Sequence, residues 1–201
     1  MTAIPTSQSP PISPAGAGRT PHQLSLERYH AMIEASFLTE NDQVELIFGQ
    51  LINTLPVGNR HRRCVNRINR LFVTRFGEAF ECNPQNPVRI PPNSEPEPDY
   101  AVCDTEAVRG YREHALPEAI HLLIEVSDIT LDYDRSVKAA LYALAGVREY
   151  WIINLQSDQL EIHTLPNRTE GGYDSVRRFG RGVAAESPFF GPVTLKELLG
   201  E

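Results

Sequence analysis

Residues 122–142 read LLIEVSDITLDYDRSVKAALY, an apolar run that turns into a helical pattern. The first half is a strand. Alternate residues of a strand share a face, so Ile120, Leu122, Ile124 and Val126 point one way and His121, Leu123, Glu125 and Ser127 the other. The second half, extended to DYDRSVKAALYALAG, is a helix stopped by Gly146, with Val137, Leu141 and Leu144 as its core stripe. A glutamate thus stands within a core strand, and Lys138, one of two lysines in the chain, follows on the next helix. Asp134, Lys138 and Tyr142 fall at i, i+4 and i+8, in one row beside the stripe. A lysine stem can run along that apolar boundary and deliver its ammonium to the sheet.

Outward from this unit, REYWIINL is a second buried strand. Upstream, Pro98 pushes its predecessor out of helical geometry, so PDYAVC is extended, with Asp99, Ala101 and Cys103 on one face. Paired strands lie about 4.8 Å apart. Asp99 and Glu125 on one face of neighbouring strands could therefore share a divalent cation. Magnesium suits such a pair, because it prefers oxygen ligands and is often held by one or two carboxylates plus substrate phosphate. A nearby lysine would orient an attacking water or stabilise charge developing on phosphate. The competing interpretation is a buried Glu125–Lys138 salt bridge without chemistry. Against it, burying two ions costs several kcal/mol each before their attraction is counted.

The remaining segments complete a layered plan. Residues 1–22, rich in Pro, Ser, Gly and Ala, read as a disordered tail, with one domain over 23–201. SLERYHAMIEA is a short helix capped by Ser25, and QVELIFGQLINTL a hairpin turning at Gly49 and Gln50. NRHRRCVNRINRLFVTRF is the clearest helix, with Asn59 as N-cap and Cys64, Ile68, Leu71, Phe72 and Phe76 as its apolar stripe. AFECNP and PVRI are short extended pieces, QLEIHTLP and GGYDSVRRFG a late hairpin, and VTLKELLGE a closing helix capped by Thr194. The order predicts an α/β sandwich around a mixed sheet, with β additions at both ends.

Bulk properties bound the function. The chain has 201 residues, and its net charge of −7 argues against a non-specific coat for nucleic acid. It does not exclude a local basic face. Arg60, Arg62, Arg63, Arg67, Arg70 and Arg75 share the long helix, and no acid interrupts residues 60–77. Arginines so placed suit phosphate contacts, or else form a solvated face or a subunit interface. Three scattered cysteines without a CxxC pair suit a reducing cytoplasm. No apolar run approaches the roughly 18 residues of a membrane span, and the N-terminus has no signal-peptide pattern.

The segments EPEPD followed by YAVC, then LLIEVSD, then DRSVKAALYALAGVREYWIINL resemble the Uma-two family of endonuclease-like proteins, within the wider PD-(D/E)XK superfamily. The resemblance covers about residues 24–200. It implies an α/β (α+β) fold: a restriction-endonuclease-like mixed sheet flanked by helices, with extra N- and C-terminal β-hairpins. It also implies Asp99 as motif aspartate and Glu125 as motif glutamate, both ligands of Mg²⁺ or Mn²⁺. The usual motif lysine stands two residues after the glutamate, where this chain has Ser127, and the resemblance moves that role to Lys138. Glu45 matches an acidic family position, either a further ligand or a solvent-facing strand residue. His61 matches a position near the long helix's start, touching substrate or the metal's water shell, or merely occupying a first turn. Asp134 either orients Lys138 through an i, i+4 contact or sits near a positive helix end.

The expectation is a cytoplasmic, homodimeric endonuclease that hydrolyses DNA phosphodiesters with Asp99, Glu125 and Lys138 and contacts nucleic acid through Arg60, Arg63, Arg67 and Arg70. The alternative is a non-catalytic nucleic-acid or protein interaction module that retains the fold.

Overall fold

The computed structural model describes residues 21–109 and 114–200; the tail expected over 1–22 lies, up to residue 20, outside them. Ser25 caps helix α1 (Leu26–Glu34) by accepting from the Arg28 amide at 3.4 Å. Strands β1 (Val44–Ile47) and β2 (Gln50–Asn53) then pair as the first hairpin. Its turn residues are Phe48 and Gly49, one position earlier than expected, both at positive φ (48° and 76°). Gly49 is required there for space as well: a Cβ would lie 2.6 Å from Gln23 Cβ.

Helix α2 (Asn59–Phe76) follows, with the expected stripe turned to the core. Its N-cap is Gly58, not Asn59, and no side chain caps it. The Asn59 side chain instead accepts from Arg62 at 2.5 Å. Strand β3 (Phe80–Pro84) is AFECNP as expected, whereas PVRI is a loop, tied down by isolated bridges from Val88 to Ala115 and Ile90 to Ser94. Next come β4 (Tyr100–Asp104), the short helix α3 (Thr105–Val108) and β5 (Ile120–Ser127).

A crossover returns the chain to a parallel strand. It runs through α4 (Leu131–Tyr133), a π turn (Asp134–Lys138) and α5 (Ala139–Ala145), and ends at left-handed Gly146. Strand β6 (Glu149–Asn154) pairs parallel to β5. β7 (Gln159–Asn167) and β8 (Gly172–Phe179) extend the sheet, which has the order β3-β4-β5-β6-β7-β8 and is otherwise antiparallel. The late hairpin is thus an edge of the main sheet. β9 (Ala184–Ser187) and β10 (Gly191–Thr194) form a separate hairpin, and α6 (Leu195–Leu199) closes the chain with a Thr194–Glu197 capping box.

Both faces of the sheet are covered. Tyr100, Val102, Leu122, Ile124, Val126 and Trp151 pack against Ile68 and Phe72 of α2 and Leu195 and Leu198 of α6. Ala101, Cys103, Leu123, Tyr150 and Ile152 pack against Leu141 and Tyr142 of α5 and Ile47 of β1. Double coverage explains why β5 and β6 read as nearly continuous apolar runs.

Two details depart from simple alternation. The β4–β5 register shifts so that Val102 pairs with Leu122 but Cys103 with Ile120. This bulge sends Ile120 to the face of Leu123, and His121 stacks on Phe189. The second departure lies in the crossover helix. Leu144, expected in the core stripe, is 37% exposed, while Asp134, Lys138 and Tyr142 are buried. The extra residue in the π turn rotates the following helix, so the row containing two charges faces the sheet.

Candidate functional site

Five segments bring the expected residues together. Tyr100 pairs with Ile124, so Asp99, just before β4, comes opposite Glu125 on the face toward α5. The Asp99 amide lies 3.4 Å from Glu125 Oε2, and Asp99 Oδ2 accepts from the Val126 amide at 2.8 Å. Lys138 reaches the same point from the π turn: its Nζ donates to Glu45 Oε2 at 2.7 Å and stands 3.3 Å from Glu125 Oε1. Glu45 arrives from β1, buried rather than facing solvent, and also accepts from the Glu97 amide at 3.1 Å. His61, in the first turn of α2, places Nε2 2.9 Å from Asp99 Oδ2, while its buried Nδ1 has no hydrogen-bond partner.

Asp134 does not pair with Lys138. Its Oδ2 accepts from the hydroxyls of Ser127 (2.6 Å) and Thr130 (2.7 Å) instead. Ser127, at the usual lysine position of the motif, is therefore an anchor for the helix start. Two contributors, Glu97 and Tyr133, escaped the sequence reading, and Tyr142, placed only in the row of Lys138, has a polar role. Tyr142 donates to Glu125 Oε1 at 2.8 Å, and its i+4 spacing from Lys138 was the available signal. Glu97 and Tyr133 line the same cavity. The alternation Glu95, Glu97, Asp99 in an extended segment could have suggested Glu97, which stands two residues from Asp99.

These groups surround an open cavity of about 570 Å³. Six carboxylates line it (Glu45, Glu97, Asp99, Glu125, Asp128 and Asp134), against Lys138 and His61. Burial raises the Glu125 carboxyl well above its ordinary range; Lys138 opposes this, and Asp134, Asp99 and Glu45 add to it. Burial raises Asp134 too, despite its two hydroxyl donors, and burial together with Glu45 raises Glu97. For Lys138, burial works against the charge, but Glu125 and Glu45 outweigh it and hold the ammonium protonated.

Carboxylate oxygens in such excess match a hard divalent cation in donor type and charge. Their free lone pairs are limited, however: among the described residues no three His, Cys, Asp or Glu side chains converge as a ready ligand cluster.

The basic helix touches the site only at its start. Gly58 and His61 line the cavity, whereas Arg63, Arg67 and Arg70 are exposed away from it. Arg60 is committed elsewhere, to the Leu155 carbonyl and to Asp158 at 2.5 Å. Phosphate binding expected of Arg60 therefore competes with a structural tie. Among the described residues no helix is long and apolar enough to cross a membrane.

Comparison with known proteins agrees with this architecture. A solved structure described as a putative nuclease belonging to DUF820, from Anabaena variabilis, superposes with a TM-score of 0.67 at 11% identity, covering 88% of this chain and 98% of that one. At that identity the likeness concerns the fold, a nuclease-like mixed sheet with flanking helices. No curated protein matches the chain. The family profile named Uma2, described as "putative restriction endonuclease", matches residues 26–195, which span both hairpins, the whole sheet and every residue of the site; the chain belongs to the Uma2 family.

Proposed function

We propose that the protein is a metal-dependent endonuclease that hydrolyses phosphodiester bonds in DNA at this cavity. The observation that carries the reading is the meeting of Asp99, Glu125 and Lys138, from three separate elements, in a cavity with excess negative charge. Asp99 and Glu125 would hold Mg²⁺ or Mn²⁺, with Glu45 as a further ligand or as the partner that positions Lys138. Such an ion supplies charge that polarises the phosphodiester and lowers the pKa of an attacking water.

The chain's own groups have separable tasks. The Val126 amide and His61 orient Asp99, and the Tyr142 hydroxyl orients Glu125. Lys138 carries three donor protons, of which Glu45 and Glu125 face some; the ammonium can therefore also orient water or stabilise charge on phosphate. Ser127 and Asp134 anchor the helix that delivers it. Arg63, Arg67 and Arg70 would draw the polyanion along α2. A homodimer, presenting two such cavities, belongs to the same proposal.

A second reading rests on the mutual satisfaction of the site. Asp99 is held by Val126 and His61, and Lys138 by two glutamates, as in a charge network that only stabilises the fold. It predicts a non-catalytic module with salt-dependent, chelator-insensitive binding through Arg63 and Arg67. Cleavage assays on DNA and RNA with Mg²⁺ or Mn²⁺ separate the two. Asp99→Asn and Lys138→Met are expected to lower the rate by about 10²–10³-fold, the scale of losing one electrostatic stabiliser. Wild type that cuts no faster than these variants would leave only the module.

A further inference from the structure

The cavity has an acidic floor but an apolar lip. Leu55 and Val57, on the loop from β2 to α2, are 53% and 36% exposed, and Ile129, on the loop from β5 to α4, is 72% exposed. All three line the cavity, as does Tyr133. Large side chains left so exposed around a concave site mark a surface that is covered by something else. Tyr133 adds a polar sign: its hydroxyl is buried yet has no hydrogen-bond partner among the described residues.

Charge narrows what the lip can meet. Among the described residues no arginine lines the cavity, and its lysine is engaged by Glu45 and Glu125. A duplex presents two rows of phosphate outward, which need lysine and arginine to be neutralised. Its apolar base faces are hidden in the stack. An unpaired strand offers the opposite: base faces free to pack against apolar and aromatic side chains, and one phosphate row. A volume near 570 Å³ is within the range of about 300–1,000 Å³ typical of small-molecule sites.

We propose that Leu55, Val57, Ile129 and the Tyr133 ring seat an unstacked nucleobase, so that the preferred substrate is an unpaired stretch of nucleic acid. This rests on the nuclease reading for the phosphate on the floor, but the base seat can be tested without cleavage. The probe is an oligonucleotide carrying 2-aminopurine, as a single strand and as a blunt duplex, titrated with the full chain in EDTA and in Ca²⁺. The single strand is expected to bind about tenfold more tightly than the duplex, the scale of one base packed on an aromatic platform. Leu55→Ser and Ile129→Ser should remove most of that preference without changing the Tm, because both residues are solvent-exposed. Leu165→Ser, at a 65% exposed position of β7 outside the cavity lining, should leave it intact. Equal affinity for the two forms in both conditions, or lip variants that bind like wild type, would overturn the base seat. Selective binding with no cleavage of any substrate would uphold the seat and end the nuclease reading.

Discussion

One helical crossover serves two buried glutamates, and they differ in charge balance. Arg135, in the π turn, meets Glu161 of β7, with Nε 3.1 and 3.2 Å from the two carboxylate oxygens. Arg178 Nε adds a contact at 3.4 Å and His163 Nε2 one at 3.5 Å. Burial pushes the Glu161 carboxyl up, but His163, Arg135 and Arg178 together pull it down to about 2. Three residues later, Lys138 meets Glu125 and must be shared with Glu45, and Glu125 is pushed up. The cluster around Glu161 has cations in excess and closes on itself. The one around Glu125 has anions in excess and opens on a cavity. A buried ion pair alone says little about function; the sign of the leftover charge says more.

The largest break in this comparison is expected from Lys138→Met. It leaves Glu45 and Glu125 buried without their cation, and breaking such a pair by removing one partner costs about 3–5 kcal/mol. Urea unfolding at pH 7 would read this as a lower midpoint at unchanged slope. A loss below about 1 kcal/mol would mean that water already solvates the two carboxylates, and the contrast with Glu161 would fail.

Glu161→Gln should do less, about 1–3 kcal/mol at pH 7, because Arg135 and Arg178 are 34% and 55% exposed and can be re-solvated. Its pH dependence is specific. The folded pKa is depressed below the ordinary 4.5, so ionised Glu161 contributes stability that is present above that value and lost as pH falls toward about 2. Variant and wild type should therefore differ most at neutral pH and converge in acid. A difference independent of pH would refute the electrostatic account.

The two clusters also differ in how legible they were. Glu125 stood out because a charge in an apolar run breaks a local pattern, and Lys138 because it falls at i+4 from Asp134, in the row beside the helix's apolar stripe. Asp99 followed from strand alternation on the condition that its strand neighbours that of Glu125; the register itself, Tyr100 opposite Ile124, was not legible. What could not be read was long-range. Lys138 and Glu45 are 93 residues apart, and nothing periodic links a strand residue of the first hairpin to the crossover helix. The π turn and the β5 bulge were likewise invisible, because each shifts a phase that the sequence pattern takes as constant. Glu161 offered a buried acid in QLEIHTLP, but its neighbours His163, Arg178 and Arg135 come from β7, β8 and the crossover, and only folding assembles them.

The smallest expected effect has the opposite sign and sharpens the comparison most. Glu125→Gln keeps the shape of the side chain and its contact with Tyr142, removes one of two anions around Lys138, and leaves Glu45 as partner. Because the folded pKa of Glu125 is raised, its ionisation costs stability: the cost is absent well below pH 4.5 and grows as pH rises through the folded pKa. The variant should thus match wild type near pH 4 and exceed it by about 1 kcal/mol at pH 8, the usual trade of site strain for stability. If the nuclease reading holds, it should also abolish cleavage. Thermal melts of Glu125→Gln and Glu161→Gln across pH 3–8 then give divergent trends, one variant gaining on wild type and the other losing as pH rises. Parallel trends would show that both glutamates are merely packed into the fold, and the excess charge at the cavity would lose its claim to function.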